Sequence, residues 1–129
     1  MIKKILVTGA SGFIGSFLVE GELERGFLVG AGVRRSSSWA YLQDERIRFA
    51  ELDLMDSDRL HAQLAHHKEA HGGWACIIHC AGVTKCLEKA DFEMGNYWAT
   101  RHFVEDLMRL DMVPRQFIYL SSLRVFGPI

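Results

Sequence analysis

The fold of this 129-residue chain is decided by one stretch, Thr8-Gly9-Ala10-Ser11-Gly12-Phe13-Ile14-Gly15. It lies between an apolar run that predicts a buried strand and a helical pattern that begins at Phe13. In a strand–turn–helix unit, one glycine permits the tight turn, a second lets the backbone approach a pyrophosphate, and a third lets the helix pack closely on the sheet. The first N–H groups of such a helix attract phosphates. The stretch therefore predicts a dinucleotide site, with an ordinary glycine-rich turn as the alternative.

Apolar runs and helical patterns alternate along the rest of the chain. The runs predict strands at residues 5–8, 27–33, 47–52, 75–80 and 117–120, and the patterns predict helices at residues 13–25, 57–68 and 91–110. Strands that are apolar throughout and are joined by helices indicate a parallel sheet covered on both faces. We therefore predict one α/β domain over residues 1–129, a Rossmann-type doubly wound parallel sheet of about five strands.

Three finer predictions concern the residues at the start of the first and second helices. The side chains of Phe13 and Ile14 are expected to pack inward with Phe17 and Leu18, while their N–H groups face the phosphates. Ser57 is the expected N-cap of the second helix. Asp56 and Asp58 are interpreted as capping or turn residues.

Composition and charge exclude several classes of protein. With 49% hydrophobic and 24% charged residues, the chain has the balance of a soluble globular protein. A net charge of -1 argues against a nucleic-acid binder that relies on bulk positive charge. No apolar run approaches the roughly 20 residues that span a bilayer.

The three cysteines, Cys76, Cys80 and Cys86, have no disulfide framework spacing and indicate reduced thiols in a cytoplasmic setting. No metal site is predicted, because Cys76 and Cys80 would face one side of a strand and His79 the other.

The glycine turn and four later segments resemble the extended short-chain dehydrogenases/reductases, the NAD(P)-dependent epimerase/dehydratase family. The form Thr-Gly-x-x-Gly-x-x-Gly is typical of this family, and the resemblance covers nearly the whole chain. The four later segments match in order and spacing: Asp53-Leu54, Ile77-Ile78-His79-Cys80-Ala81-Gly82, Asn96-Tyr97-Trp98-Ala99-Thr100 and Ser121-Ser122-Leu123-Arg124-Val125-Phe126-Gly127.

The resemblance implies a role for each matched segment. The turn would hold the pyrophosphate, Asp53 and Leu54 would lie against the adenine, and Asn96 would support the nicotinamide end. The backbone after the fourth strand would line the cofactor. The residues implied in cofactor binding are Gly9, Ser11, Gly12, Phe13, Ile14, Gly15, Asp53, Leu54, Cys80, Ala81, Gly82 and Asn96. A turn or capping role is the alternative for Asp53, and a surface or capping role for Asn96.

The end of the second strand bears on the choice between NAD and NADP. An NAD-preferring fold usually has an acidic residue there, whereas Val33 is followed by Arg34-Arg35-Ser36-Ser37-Ser38. A guanidinium group pairs with a 2′-phosphate, which a carboxylate would repel. We therefore expect NADP in preference to NAD, with Arg34 as the partner of the phosphate. Solvated loop charges are the alternative for Arg34 and Arg35.

The catalytic residues implied by the resemblance are only partly present. Ser122 matches the family's catalytic serine, whose hydroxyl hydrogen-bonds the reacting carbonyl or alcohol. The family's Tyr-x-x-x-Lys does not occur, since Tyr41, Tyr97 and Tyr119 are followed four positions later by Glu45, Arg101 and Leu123. We therefore expect the chain to be the amino-terminal portion of a longer enzyme, without the substrate-binding region and inactive alone.

The resemblance implies hydride transfer on a nucleotide sugar or a similar carbonyl or alcohol, as part of an oxidoreductase or isomerase. Leu123 and Arg124 stand where 4,6-dehydratases commonly carry Asp-Glu, which argues against that reaction. An NADPH-dependent carbonyl reductase resembling dihydroflavonol reductases is an alternative enzyme. A non-catalytic dinucleotide-binding or sensing module is an alternative of another class. The expected partners are a nicotinamide dinucleotide and a small-molecule substrate, and a homodimer is left open.

Overall fold

The computed structural model of the chain describes residues 3–34, 40–80 and 97–120. Strands and helices follow one another along these residues in the predicted order, with the third strand directly after the second. Their bounds are β1 Lys4–Thr8, α1 Phe13–Glu24, β2 Leu28–Val33, β3 Arg48–Glu51, α2 Ser57–His71, β4 Cys76–His79, α3 Ala99–Arg109 and β5 Gln116–Tyr119.

The five strands form one sheet in the order β3-β2-β1-β4-β5, and all four neighbouring pairs are parallel. The register places Thr8 opposite Gly32 of β2 on one side and opposite His79 of β4 on the other. The predicted five-stranded parallel Rossmann-type sheet is confirmed. This strand order reverses direction at β1, which places the topological switch point between β1 and β4.

Helices cover both faces of the sheet. Because successive strand residues point to opposite faces, Leu6 and Val7 of β1 belong to different cores. Val7 packs with Val19 and Leu23 of α1, whereas Leu6 packs with residues of α2 and α3 such as Leu60 and Phe103. The two apolar layers hold α1 on one face and α2 with α3 on the other, as the doubly wound prediction required.

The predicted inward packing of Phe13 and Ile14 is wrong. Their side chains are 74% and 60% exposed, and Phe17 is also exposed. The buried face of α1 consists of Gly15, Ser16, Val19 and Leu23. Because Gly15 must lie against the turn, the helix is rotated so that positions 13, 14 and 17 point outward.

The start of α2 also differs from the prediction. Asp56 is the N-cap, and its Oδ1 accepts a hydrogen bond from Arg59 N at 3.1 Å. Ser57, the predicted cap, is the first helical residue. The capping interpretation of Asp56 is therefore confirmed, and α2 runs on to His71 before Gly72 ends it with a φ of 80°.

Among the helices of the described residues, no helix combines the length and the apolar character that crossing a membrane requires.

Candidate functional site

The glycine turn lies at the carboxyl end of β1, beside the switch point. In an open parallel sheet, ligands bind in the crevice outside the strand ends at such a point. Gly9 has a φ of 63°, a conformation that favours glycine, and its carbonyl oxygen accepts a hydrogen bond from Gly12 N at 3.1 Å. The turn therefore bends back on itself directly after the strand.

Gly15 brings α1 against this turn. A Cβ atom at Gly15 would lie 2.2 Å from the carbonyl oxygen of Gly9 and 2.9 Å from its carbonyl carbon. Both atoms belong to the backbone, so a side chain could not be accommodated without moving the turn or the helix. The sequence assigned this glycine to close packing of the helix, and the geometry agrees.

Gly12 differs from the other two glycines of the turn. Its φ of -76° and ψ of 172° are open to any residue. Among the described residues, a Cβ atom there would meet only the carbonyl oxygen of Gly9, at 3.4 Å, which is an ordinary contact. The described part of the fold does not itself require a glycine at this position.

The amino terminus of α1 has no side-chain cap among the described residues. Gly12 is the N-cap residue, and the first turn has no acidic residue. The N–H groups of Phe13 and Ile14 have no acceptor within the helix, because the first turn lacks preceding carbonyls. This end of α1 is suited to hold an anion through its N–H groups and the helix dipole.

A chain of buried and part-buried hydrogen bonds crosses the switch point beneath the turn. His79 Nδ1 lies 2.7 Å from Thr8 Oγ1, and His79 Nε2 lies 2.9 Å from Thr100 Oγ1 of α3. Thr8 Oγ1 also accepts a hydrogen bond from Cys80 N at 3.1 Å. These bonds connect the ends of β1 and β4 with the first turn of α3.

Burial controls the protonation of the groups at this point. It lowers the pKa of His79 to about 4, so the imidazole is neutral near pH 7. It raises the pKa of the Cys80 thiol to about 11, which keeps that thiol protonated. Cys76 and Cys80 pack against the core on the α1 side, whereas the His79 ring contacts Phe103 and Phe117 on the other side. The predicted facing of these three side chains is confirmed.

Sequence reasoning did not identify the role of His79 and Thr100 as bonded partners. In the sequence, His79 stands out only in a matched segment and as a possible metal ligand, and Thr100 only in a matched segment. Alternation along β4 indicated the face of His79, but its partners depend on the pairing of β1 with β4 and on the docking of α3. Within the described residues, no group of three or more His, Cys, Asp or Glu side chains is arranged to hold a metal ion.

Arg34 and Asp53 follow neighbouring strands at the same edge of the sheet. Leu52 N donates a hydrogen bond to Val33 O at 2.9 Å, which holds together the points where the chain leaves β2 and β3. The Arg34 side chain is exposed there. Asp53 Oδ2 lies 3.6 Å from Arg59 Nη1, and Asp53 Oδ1 accepts from Met55 N at 3.3 Å. Asp53 thus has a turn-stabilising function whatever else it contacts.

Leu54 is partly buried and packs against the core between the sheet and α2. Ser11 is half-buried in the glycine turn. Four of the predicted site residues, Ala81, Gly82, Asn96 and Ser122, lie outside the described residues. The structure thus brings together the glycine turn, Arg34, Asp53, Leu54 and Cys80 at the carboxyl edge of the sheet.

Comparison with known proteins identifies one family. The family model described as the NAD dependent epimerase/dehydratase family matches residues 5–129. A curated relative from Oryza sativa subsp. indica, the chloroplastic divinyl chlorophyllide a 8-vinyl-reductase, is 30% identical over 97% of this chain and 31% of its own length. The UDP-glucose 4-epimerase of Bos taurus is 28% identical over 98% of this chain and 39% of its own length. The chain therefore spans well under half the length of either relative.

Solved structures show the same fold. The Bordetella bronchiseptica enzyme WbmH, crystallised in complex with NAD+, superposes with a TM-score of 0.77 at 22% identity. The alignment covers 100% of this chain and 42% of that protein.

Proposed function

Because this chain belongs to the NAD-dependent epimerase/dehydratase family, we propose that it forms the dinucleotide-binding part of an enzyme that transfers a hydride to or from a nucleotide sugar or a similar carbonyl or alcohol. The observation that carries the proposal is Gly12. The fold requires Gly9 for its positive φ and Gly15 for its contact with the turn, but nothing in the described fold requires Gly12. A glycine at this position is explained when a pyrophosphate approaches the backbone.

The uncapped end of α1 supports the same proposal. The N–H groups of Phe13 and Ile14, together with Ser11 in the turn, would bind the pyrophosphate oxygens. The side chains of Phe13 and Ile14 point outward, but this does not change the hydrogen bonds that their backbone N–H groups would donate to the phosphates. The bound dinucleotide supplies the hydride chemistry, and this part of the chain binds and orients it.

Substitution of Gly12 by alanine tests the proposal directly. We expect Gly12→Ala to change the free energy of unfolding by less than about 1 kcal/mol and to weaken dinucleotide binding at least about tenfold, because the methyl group would stand in the path of the pyrophosphate. Titration calorimetry with NADH and NADPH measures the binding. Gly21→Ala is the matched control in the same helix, since its added Cβ meets no atom of the described residues within 4 Å. Unchanged affinity in Gly12→Ala would refute the proposal.

We propose NADP as the preferred dinucleotide, with Arg34 binding the 2′-phosphate. Exposure of Arg34 at the end of β2 and the absence of a carboxylate in the adjoining sequence, residues 33–38, support this preference. Arg34→Ala is then expected to weaken NADPH binding about tenfold and to leave NADH binding unchanged. Arg25→Ala, at the opposite end of α1, is the control for a general loss of positive charge. Equal affinity of the unsubstituted protein for the two dinucleotides would refute the preference.

The remaining cofactor contacts are proposed by analogy with the family. Asp53 and Leu54 would lie against the adenine, and the backbone at Cys80, Ala81 and Gly82 would line the dinucleotide. Asn96 would support its nicotinamide end. The hydrogen bond from Met55 N and the ion pair with Arg59 fit this role, because they fix the Asp53 carboxylate at the strand edge.

Ser122 is proposed as the catalytic hydroxyl of a longer enzyme, whose tyrosine and lysine lie outside these 129 residues. Ser122→Ala in that enzyme is expected to lower turnover roughly a hundredfold with little change in dinucleotide affinity. Turnover that is unchanged in Ser122→Ala would refute the role of Ser122, and a longer protein without any turnover would favour a non-catalytic binding module.

The names of the two relatives support two kinds of reaction, a reductase and an epimerase. A reductase would release one oxidised dinucleotide for each product molecule, whereas an epimerase would regenerate its dinucleotide in every cycle. A single-turnover assay with a nucleotide sugar, monitored by the absorbance of the reduced nicotinamide, distinguishes them.

A further inference from the structure

One buried side chain connects three structural elements at the switch point. His79 is the last residue of β4, Thr8 is the last residue of β1, and Thr100 is the second residue of α3. The imidazole nitrogens lie 2.7 Å from Thr8 Oγ1 and 2.9 Å from Thr100 Oγ1. We refer to these three side chains as the His79 bridge.

The surroundings of His79 are those of a core residue. The side chain is 1% exposed, and its ring lies 5.4 Å from the ring of Phe103, 5.9 Å from that of Phe117 and 5.5 Å from that of Tyr119. A polar side chain in such a place destabilises the fold unless its polar atoms are bonded. Packing alone does not explain a histidine here, because an apolar side chain would need no bonded partners, so the two hydrogen bonds are the feature that needs explanation.

The two threonines match a neutral imidazole in either tautomer. Burial lowers the pKa of His79 to about 4, and the neutral ring has one donor and one acceptor nitrogen. Each hydroxyl can donate or accept, so both ring nitrogens are satisfied. The bridge is therefore complete near neutral pH and holds its three elements without a buried charge.

The bridge acts on the part of β1 that leads into the glycine turn. Thr8 Oγ1 accepts from Cys80 N as well, so the same hydroxyl also fixes the chain where it leaves β4. The next residue, Gly9, has a positive φ, bonds to Gly12 and lies against Gly15. Because this turn is closely packed, a displacement of Thr8 would be transmitted to Gly12 and to the amino terminus of α1.

We propose that His79 is a positioning residue of the dinucleotide site. Through Thr8 and Thr100 it fixes the position of the glycine turn relative to α3 and to the point where the chain leaves β4, and dinucleotide affinity depends on that position. The inference rests on the proposed function, because it names a determinant of the same site. His79 itself is enclosed in the core and would not touch the dinucleotide.

The experiment compares two substitutions in the same aromatic cluster. His79→Phe keeps a ring and removes both hydrogen bonds, whereas Phe103→Leu disturbs the packing around the ring and leaves the bridge intact. Unfolding measurements give the stability of both variants, and titration with NADPH and NADH at a temperature where both are folded gives their affinities. We expect His79→Phe to bind about tenfold more weakly than the unsubstituted protein, and Phe103→Leu to bind within about twofold of it.

A second pair of substitutions acts at the far end of the bridge. Thr100→Val removes the hydroxyl that meets His79 and is expected to weaken binding about threefold, whereas Thr100→Ser keeps the hydroxyl and is expected to restore it. This pair leaves the core around His79 in place, so it tests the positioning role even if His79→Phe does not fold.

The outcomes separate the inference from the proposed function. Failure of the unsubstituted protein to bind either dinucleotide would refute both. Normal binding by that protein, with equal affinities for His79→Phe and Phe103→Leu or for Thr100→Val and Thr100→Ser, would refute the positioning role alone and leave His79 as an ordinary core residue.

Discussion

Two buried polar side chains, His79 packed against α3 and Asp106 within it, have different surroundings. His79 has a hydrogen-bond partner for each ring nitrogen. Asp106 is only 4% exposed, and its Oδ1 lies 3.2 Å from His61 Nδ1 and 3.9 Å from Arg109 Nη1. Its Oδ2 is buried without a hydrogen-bond partner among the residues that the structure describes. One buried group is satisfied and the other is half satisfied.

This difference follows the position of the two groups in the fold. The His79 bridge lies where two strand ends and a helix meet, under the glycine turn. Asp106 lies in a crevice of about 350 Å³ between α2 and α3, lined by polar and charged residues. A satisfied buried network makes its elements interdependent, whereas a half-satisfied group lowers stability. We therefore expect substitutions at the switch point to be far more harmful than substitutions in the crevice.

The largest expected effect is that of Gly15→Ala, which tests how closely the glycine turn and α1 are packed at the switch point. The added Cβ would lie 2.2 Å from the Gly9 carbonyl oxygen, so the helix or the turn must move. We expect the free energy of unfolding to fall by about 3 kcal/mol or more and dinucleotide binding to be lost. Urea denaturation and calorimetric titration measure the two effects.

Gly21→Ala is the control for Gly15→Ala, because it adds the same methyl group to the same helix in open space. It is expected to raise stability by about 1 kcal/mol, the usual difference in helix propensity between alanine and glycine. A Gly15→Ala variant that unfolds at the same denaturant concentration as the unsubstituted protein would mean that the turn is not close-packed.

Acid is the second test, because it acts on His79. Burial lowers the pKa of the folded-state imidazole from 6.5 to about 4, so the unfolded chain takes up the proton first as the pH falls. The contribution of His79 to stability is therefore complete above pH 6.5 and declines towards pH 4, with a loss of about 3 kcal/mol. Other groups titrate in the same range, so the loss is measured as the difference between the unsubstituted protein and His79→Phe. A difference independent of pH would contradict a buried neutral imidazole.

The sequence predicted the sheet and the glycine turn because both depend on local patterns. Strand and helix periods, and the roles of Gly9 and Gly15, are set by residues close together in the chain. The His79 bridge could not be predicted in this way, because Thr8 and His79 are 71 residues apart and meet only through the register of β1 with β4. The outward direction of Phe13 was missed because the contact of Gly15, and not the apolar pattern, sets the rotation of α1.

The third test concerns the crevice and has the smallest expected effect. Asp106→Leu removes a buried carboxylate whose Oδ2 is unpartnered in the described structure and leaves His61, which is 47% exposed, accessible to water. Replacement of a poorly satisfied buried charge by an apolar side chain is often neutral or stabilising, so we expect a change between zero and a gain of about 1 kcal/mol.

Asp58→Ala is the control for Asp106→Leu in the same crevice. Asp58 lies in the first turn of α2, where a carboxylate favours the helix dipole, so its loss is expected to lower stability by about 0.5 kcal/mol. Urea denaturation at pH 7 compares the two variants. A loss of more than about 2 kcal/mol in Asp106→Leu would contradict the description of Asp106 as a half-satisfied group. The distinction between the two buried groups would then no longer hold.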